Sequence, residues 1–229
     1  MSDLKTSNDL NQVKEIFSSH ANVEDAKKMA AYMRNHFDFY GIKSPTRRQI
    51  SRDFVNKSKK QKQIDWTFLE KAMTDSYREI NYLALDILKA NKDRLAIDDF
   101  DRLIGLAKIR PWWDSIDAID TIIGSLDGDN FSKKILDLST DDNFWLRRIA
   151  IDCQLLKKDK TDKDLLAAVI ENNLGIDFSD KDEKFFINKA IGWSLRSFSK
   201  TDPAWVRDFL EKNKDKLDNL SIREASKYL

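Results

Sequence analysis

The sequence has few of the residues that interrupt regular structure. Its 229 residues include only six glycines and three prolines. Sheets and barrels need turn residues about every dozen positions, and this chain has too few of them. The scarcity excludes a β-rich or doubly wound fold and predicts a mostly helical protein.

Cysteine and histidine are equally scarce. The single cysteine, Cys153, excludes an internal disulfide framework, and two histidines leave little from which to build a metal site. The six glycines are scattered and form no phosphate-binding loop. We therefore expect no metal and no cofactor. Cys153 itself stands on an apolar helix face, where we interpret it as a small buried hydrophobic residue.

Long apolar runs are missing as well. None approaches the roughly 20 residues of a membrane span. The N-terminal residues are polar and lack the apolar core of a secretory signal. We therefore expect a cytoplasmic protein with no membrane partner. A monomer is our separate expectation.

Neither sign of charge is in excess, because 40 Lys and Arg balance 39 Asp and Glu. The net charge of +1 gives no argument for a nucleic-acid partner, so such a case needs a local cluster. Residues 45–63 contain one, with a single Asp53 among its basic residues. They are Arg47, Arg48, Arg52, Lys57, Lys59, Lys60 and Lys62. Such a run is most often a solvated helix face, but it also suits phosphate binding through counterion release.

Helical periodicity is abundant. Apolar residues recur three and four positions apart almost throughout, and we predict about a dozen helices. One stripe consists of Ile116, Ile119, Ile122 and Ile123. Asp202 followed by Pro203 predicts a helix start, and Gly41 predicts a helix end. Ser221 and Glu224 have the spacing of a capping box before the last helix.

Short segments of the chain resemble one another. Asn81–Asp86 parallels Arg147–Asp152, and Trp145–Arg148 parallels Phe186–Lys189, with offsets of 66 and 41 residues. The second offset is close to the roughly 40 residues of a HEAT or armadillo helical pair, and the first is a little under two such pairs. No flexible linker divides the chain. We predict an all-α fold with a single domain over residues 1–229, an α-solenoid of HEAT-like repeats curved around a concave groove.

The adjacent tryptophans Trp112 and Trp113 are the most informative residues. Neighbouring helix residues point about 100° apart, so one indole faces the core and the other a surface or groove. Asp117 follows Trp113 by four positions, which places a carboxylate beside an indole on one helix face. A lone helical aspartate is more often a solvated or salt-bridged surface group. Beside an indole, however, it suits a reaction with a cationic substrate or transition state.

An ordered set of motifs contains this pair. They are Tyr32-Met33-Arg34-Asn35-His36-Phe37, Gly41-Ile42, Pro45 with Arg47-Arg48, Trp112-Trp113-Asp114-Ser115-Ile116-Asp117, Trp145-Leu146 with Arg148, and Phe185 through Trp193 with Leu195-Arg196. With these motifs the chain resembles the bacterial AlkD-like DNA alkylation repair proteins, which are alkylpurine DNA glycosylases built from HEAT-like repeats. The resemblance extends over about residues 24–200.

The resemblance implies roles for individual residues. Asp117 is similar to the catalytic carboxylate of the family, and Trp113 and Trp193 to the indoles that flank the sugar bearing the lesion. Arg148 is similar to an arginine that contacts the DNA backbone. Including the basic residues expected on the same face, the predicted DNA-binding residues are Arg148, Arg147, Arg47, Arg48, Lys189, Arg196 and Tyr32. An uncharged residue can replace Arg147 in the family, and the loop at Gly124–Asp129 is shorter here, so the two differences affect the fit to DNA.

The implied function is base excision repair in a bacterial cytoplasm. Its partner is double-stranded DNA containing alkylated purines, and its reaction is hydrolysis of the glycosidic bond without a base-flipping pocket, a metal or a cofactor. Two alternatives remain open. One is a DNA-structure-binding protein of the same fold that excises no base, and the other is a helical-repeat scaffold for protein interactions.

Overall fold

Aspartate and asparagine begin most of the helices. In the computed structural model, which describes residues 9–229, the N-cap side chain accepts a backbone N–H in eight α-helices. Such caps satisfy N–H groups that have no partner within the helix. Asp202 caps one of these helices, with Pro203 in its first turn, as predicted. Residues 1–8, which include the start of the polar N-terminal segment, lie outside the described residues.

The described residues fall into two compact units, residues up to Leu95 and residues from Ala96 onward. The first unit contains six α-helices. They are α1 (Leu10–Ser19), α2 (Val23–Tyr32), α3 (Ser44–Ile50), α4 (Arg52–Lys60), α5 (Trp66–Met73) and α6 (Arg78–Ala90). A 3₁₀ turn, Lys92–Arg94, ends this unit.

The second unit contains eight α-helices. They are α7 (Phe100–Ala107), α8 (Trp113–Ile123), α9 (Phe131–Leu138), α10 (Phe144–Asp152), α11 (Lys163–Glu171), α12 (Lys181–Ser199), α13 (Pro203–Lys212) and α14 (Asn219–Ala225). Short 3₁₀ turns occur at Ile97–Asp99, Lys158–Lys160 and Ser226–Tyr228. Helix α10 packs against α8, α9, α11 and α12, and α12 packs against α14.

The all-α class predicted from the sequence is confirmed, and the helices are consistent with the predicted α-solenoid. Among residues 9–229 the only extended pairing is an isolated bridge between Asp38 and Tyr77. The predicted apolar stripe of α8 is fully buried. The single domain over residues 1–229 stays a prediction. Within the described part of the chain, no helix has the length and apolar character needed to cross a bilayer.

Two predicted helix signals are wrong. Helix α2 ends at Tyr32, where Arg34 and Asn35 adopt left-handed backbone conformations, and not at Gly41. Gly41 (φ +85°) lies in the following loop, where a Cβ would meet the Asn22 carbonyl oxygen at 2.1 Å. The glycine is thus required by a close backbone approach.

The second wrong signal is the capping box before the last helix. Asp218 caps α14, and Ser221 and Glu224 lie inside that helix. The Ser221 hydroxyl donates to the Asn188 carbonyl oxygen of α12 at 2.9 Å. Spacing alone cannot separate a capping residue from one that binds a neighbouring helix, because both put a short polar side chain near a backbone acceptor or donor.

Glycine permits two close approaches that position the helices of the second unit. A Cβ on Gly124, at the end of α8, would lie 1.8 Å from the Cys153 carbonyl oxygen at the end of α10. A Cβ on Gly192 would lie 2.6 Å from the Glu224 Cβ of α14. These contacts bring α8 close to α10, and α14 close to α12.

Candidate active site

The two adjacent tryptophans face different surroundings. Trp112 is buried, with its ring edge-on to Trp145 at 5.7 Å and to Phe186 at 5.4 Å between centroids. Edge-to-face packing of this kind is favourable for aromatic rings. Trp113, at the first position of α8, is only partly buried. The two adjacent indoles therefore differ in burial, in the direction that helix geometry predicts.

Arg148 orients the carboxylate of Asp117. Its Nε donates to Asp117 Oδ1 at 3.0 Å, and its Nη2 donates to the same oxygen at 2.8 Å. The third nitrogen, Nη1, donates to the Phe186 carbonyl oxygen of α12 at 2.8 Å. Arg148 is buried, whereas the Asp117 side chain keeps 20% of its surface exposed. Helix α10 thus holds a guanidinium between α8 and α12 and fixes a partly exposed carboxylate.

Burial and Arg148 act on Asp117 in opposite directions. Burial raises the pKa of Asp117, because it disfavours the charged form, while the charge and hydrogen bonds of Arg148 lower it and Asp114 raises it. The net effect is an increase from the ordinary value. For Arg148 itself burial lowers the pKa, but Asp152 and Asp117 more than offset it, so the pKa is raised. Arg148 is therefore a permanent cation here.

Two further carboxylates lie behind this pair. Asp120 and Asp152 are buried, and oxygens of Asp117, Asp120 and Asp152 lie within 4.8 Å of one another. Three carboxylates at this spacing could in principle hold a cation. Arg148 already supplies a positive charge to this group through its contacts with Asp117 and Asp152.

Trp193 belongs to α12, the helix that accepts the third hydrogen bond of Arg148. It is partly buried and directly follows Gly192, where an added Cβ would lie 2.6 Å from the Glu224 Cβ of α14. The Ser194 hydroxyl donates to the Ile151 carbonyl oxygen at 3.0 Å, which ties this turn of α12 to α10. Trp193 is thus a partly buried indole on a helix turn where both neighbouring residues contact other helices.

The predicted DNA-binding residues of α10 and α12 form ion pairs within the protein. Arg147 pairs with Glu183, and Lys189 and Arg196 both pair with Glu224, at 2.9 and 2.8 Å. Glu224 also binds Lys227. Hydrogen bonds from Lys227 and Lys189 lower the pKa of Glu224 to about 2. The predicted DNA-binding residues included no acidic partner such as Glu183 or Glu224. The prediction therefore overstated the net positive charge of this surface.

In the first unit the predicted residues differ in accessibility. Arg47 is buried, pairs with Asp86 and lies 5.1 Å from the centre of the Tyr82 ring, whereas its neighbour Arg48 is exposed. Tyr32 is 71% exposed. Tyr32 and Tyr82 line an open cavity of about 420 Å³, together with Asp25, Lys28, Met29, Met33, Phe39 and Lys43. Arg48 and Tyr32 are therefore the accessible members of the predicted set in this unit.

Sequence reasoning missed Asp120, Asp152 and Glu224. Asp120 follows Asp117 by three residues and Asp152 follows Arg148 by four, so helical spacing already placed each on the face of a predicted site residue. Neither is unusual among the many aspartates of this chain. For Glu224 the only local signal is Lys227 three residues later, because its other partners, Lys189 and Arg196, belong to another helix.

Comparisons with known proteins agree with this structure. The family model described as DNA alkylation repair enzyme matches residues 13–229. A solved structure of a predicted DNA alkylation repair enzyme from Enterococcus faecalis is 33% identical. The alignment covers 91% of this chain and 96% of that one, with a TM-score of 0.81. No curated protein matches the chain.

Proposed function

The chain belongs to the DNA alkylation repair enzyme family, and from that premise we propose that it is a monofunctional DNA glycosylase for N3- and N7-alkylated purines in duplex DNA. The observation that supports this most strongly is the environment of Asp117. Its partly exposed carboxylate is oriented by Arg148, one helical turn after the partly buried indole of Trp113. A carboxylate beside an indole favours a cation, and an N-alkylated purine is a cation.

The charge of the substrate explains why one carboxylate suffices. Alkylation at N3 or N7 makes the base positive and weakens the bond between the sugar C1′ and the base nitrogen. When that bond breaks, its electron pair goes to the nitrogen and the base leaves neutral, without protonation. The sugar becomes an oxocarbenium-like cation, to which water adds at C1′ with loss of a proton. Glycosidases that act on neutral leaving groups use a second carboxyl group as an acid.

In this proposal Asp117 stabilises the cationic sugar and positions the attacking water. Oδ1 receives both hydrogen bonds from Arg148, so neither bond engages Oδ2. Trp113 and Trp193 would flank the sugar, and each indole face contributes roughly 0.5–2 kcal/mol toward a cation. Preorganised charge of this kind acts without reorganisation during the reaction.

Arg148 has a role that its geometry supports directly. The resemblance implies a contact with the DNA backbone, yet all three nitrogens of its guanidinium bind protein groups and the side chain is buried. Orientation of Asp117 is therefore the function we propose for Arg148 first. The exposed Arg48 of the first unit is better placed to meet phosphate groups.

The test is base release from methylated duplex DNA. Purified protein is expected to release 7-methylguanine or 3-methyladenine, identified by chromatography, and to leave abasic sites without strand cleavage. Salt-sensitive DNA binding without base release would instead identify a DNA-structure-binding protein. Absence of both binding and release would favour a protein scaffold.

A further inference from the structure

One nitrogen of Arg148 lies between two carboxylates. Its Nη2 is 2.8 Å from Asp117 Oδ1 and 3.5 Å from Asp152 Oδ2. The first distance is a hydrogen bond, and the second is an ion pair too long for a good one. Because Nη1 is anchored on the Phe186 carbonyl oxygen, the guanidinium is held in place between them. The two carboxylates therefore share the charge of one immobile cation.

The two carboxylates have different access to solvent. Asp117 keeps a fifth of its side-chain surface exposed, whereas the Asp152 side chain has none. A substrate can therefore reach Asp117 alone. A change in the charge of Asp152 therefore affects the substrate only indirectly, through its electrostatic effect on Arg148 and Asp117.

The buried oxygens have the environment of protonated carboxyl groups. Both Asp152 oxygens and Asp120 Oδ2 are buried and take part in no hydrogen bond with the described residues. A carboxylic O–H would supply the donor that such buried oxygens lack. The single positive charge of Arg148 cannot balance three ionised carboxylates at a site so removed from solvent. The charge count and the unpaired oxygens agree that Asp120 and Asp152 bind protons.

From this arrangement we propose that Asp152 is a positioning residue that competes with Asp117 for the charge of Arg148. When Asp152 loses its proton, its negative charge offsets part of the positive charge of Arg148. The carboxylate of Asp117 then presents more negative charge to the cationic sugar. The role deepens the proposed glycosylase function and rests on it.

The local charges support a change within an accessible pH range. Burial, opposed by Arg148 and reinforced by Asp117, raises the pKa of Asp152 to about 8. Burial and then the charges of Asp152 and Asp117 raise the pKa of Asp120 well above its usual range. Burial raises the pKa of the adjacent Cys153 thiol to about 12, which keeps it neutral.

Other helices that pack on α10 bring no further buried charge to Asp152. The charged side chains of α7, α9 and α11 are all at least partly exposed. On α12, Glu183 pairs with Arg147, while Lys189 and Arg196 pair with Glu224. Helix α8 contributes Asp117 and Asp120, and α10 contributes Arg148.

The decisive experiment compares Asp152→Asn with the intact protein across pH. Asparagine has the shape of the protonated acid and cannot ionise. Single-turnover release of 7-methylguanine by D152N is expected to equal that of the intact protein at about pH 6 and to be about tenfold slower at about pH 9, with unchanged DNA affinity. Asp120→Asn is the matched control. Asp120 is equally buried, but its Oδ1 accepts a hydrogen bond from the Thr121 hydroxyl, and the second ion pair of Arg148 Nη2 is with Asp152, so the Asp120 variant should keep the intact pH profile.

The possible outcomes separate this role from a structural one. A loss of the same size at every pH would mean that Asp152 only supports the fold, and an unchanged profile would mean that it has no role. Either result overturns the proposal. Absence of base release by the intact protein at any pH would instead refute the glycosylase.

An NMR titration tests the same relationship without activity. The Arg148 15Nε and Asp117 13Cγ resonances are expected to move together near the midpoint of Asp152 ionisation in the intact protein. They should not do so in D152N. Resonances that remain still through the Asp152 titration would overturn the proposal even if the protein excised bases.

Discussion

Arg148 donates two hydrogen bonds to a single oxygen of Asp117, from Nε at 3.0 Å and from Nη2 at 2.8 Å. The pair joins two helices, α10 and α8, and its geometry depends on how closely those helices pack. A carboxylate held in this way has a defined orientation before any substrate arrives. Such preorganisation is how enzymes stabilise a charge that develops during reaction.

Replacement of Asp117 by asparagine should remove most excision and leave DNA binding intact. We expect single-turnover base release to fall by about 10² to 10³, because the charge opposite the developing cation is lost. Affinity for undamaged duplex DNA should change by less than about twofold, measured by fluorescence anisotropy. Asp114→Asn removes a carboxylate one turn earlier on α8 and serves as control. Equal losses in both variants would refute the specific role of Asp117.

The two adjacent tryptophans should give opposite phenotypes. Trp112→Ala is expected to cost about 3–5 kcal/mol of stability, because Trp112 packs against Trp145 and Phe186. Trp113→Ala should cost less stability than Trp112→Ala but slow base release, since this indole is only partly buried and lies beside Asp117 in the proposed site. Urea denaturation and single-turnover kinetics measure the two quantities. A stable, fully active W113A would exclude the indole from catalysis.

Neighbouring arginines of α3 should also differ. Arg48→Ala is expected to lower the slope of log affinity against log salt for duplex DNA by about one, because an exposed phosphate contact is lost. Arg47→Ala should leave that slope unchanged and reduce stability instead, since Arg47 is buried and paired with Asp86. If R47A shifts the slope and R48A does not, the assignment is reversed.

Glycine substitutions test the close packing of α8 against α10, the two helices that carry Asp117 and Arg148. Gly124→Ala should destabilise the protein by about 3 kcal/mol or more, because its Cβ would collide with the Cys153 carbonyl oxygen. Gly105→Ala in α7 is the control. Apart from the backbone of its own helix, no atom of residues 9–229 lies within 4 Å of the added Cβ, and alanine should stabilise that helix by roughly 0.5–1 kcal/mol. Chemical denaturation of both variants checks the sign as well as the size.

Stability should decrease as the pH rises from about 4 to about 8. The pKa of Asp152 is raised to about 8 and that of Asp120 is also raised, whereas both should titrate near 3.9 when unfolded. Across that interval the folded state binds protons that the unfolded state has released, so higher pH favours unfolding. We expect a higher Tm at about pH 5.5 than at about pH 8.5, and a smaller difference in D152N. A Tm that rises over this range would contradict protonation of the buried pair.

Glu224 acts with the opposite sign and in a different interval. Hydrogen bonds from Lys227 and Lys189 lower its pKa from the ordinary 4.5 to about 2, so its contribution to stability is fully present above about pH 4.5 and is lost as the pH falls toward 2. A Glu224→Gln variant separates the two effects. It should remove the stabilising contribution of Glu224 near neutral pH. The decrease in stability between about pH 4 and 8, which comes from Asp152 and Asp120, should remain.

Local properties of this protein could be predicted from the sequence, because they depend on neighbours along the chain. Scarce glycine and proline predicted helices, Asp202 with Pro203 predicted a helix start, and the four-residue spacing placed Asp117 beside Trp113. The difference in burial between the two adjacent tryptophans also followed from helix geometry alone. The motifs around these residues indicated the family to which the chain belongs.

Tertiary structure decided how the charges are paired. Lys189 and Arg196 are bound to Glu224 of another helix, and Arg148 is shared between Asp117 and the buried Asp152. Charge pairing depends on distances between residues that lie far apart in the chain, and desolvation depends on what covers them. Neither quantity can be read from spacing along one helix. The sequence by itself determined which residues share a helix face, and only the packing of α8, α10, α12 and α14 decided which of those residues carry an available charge.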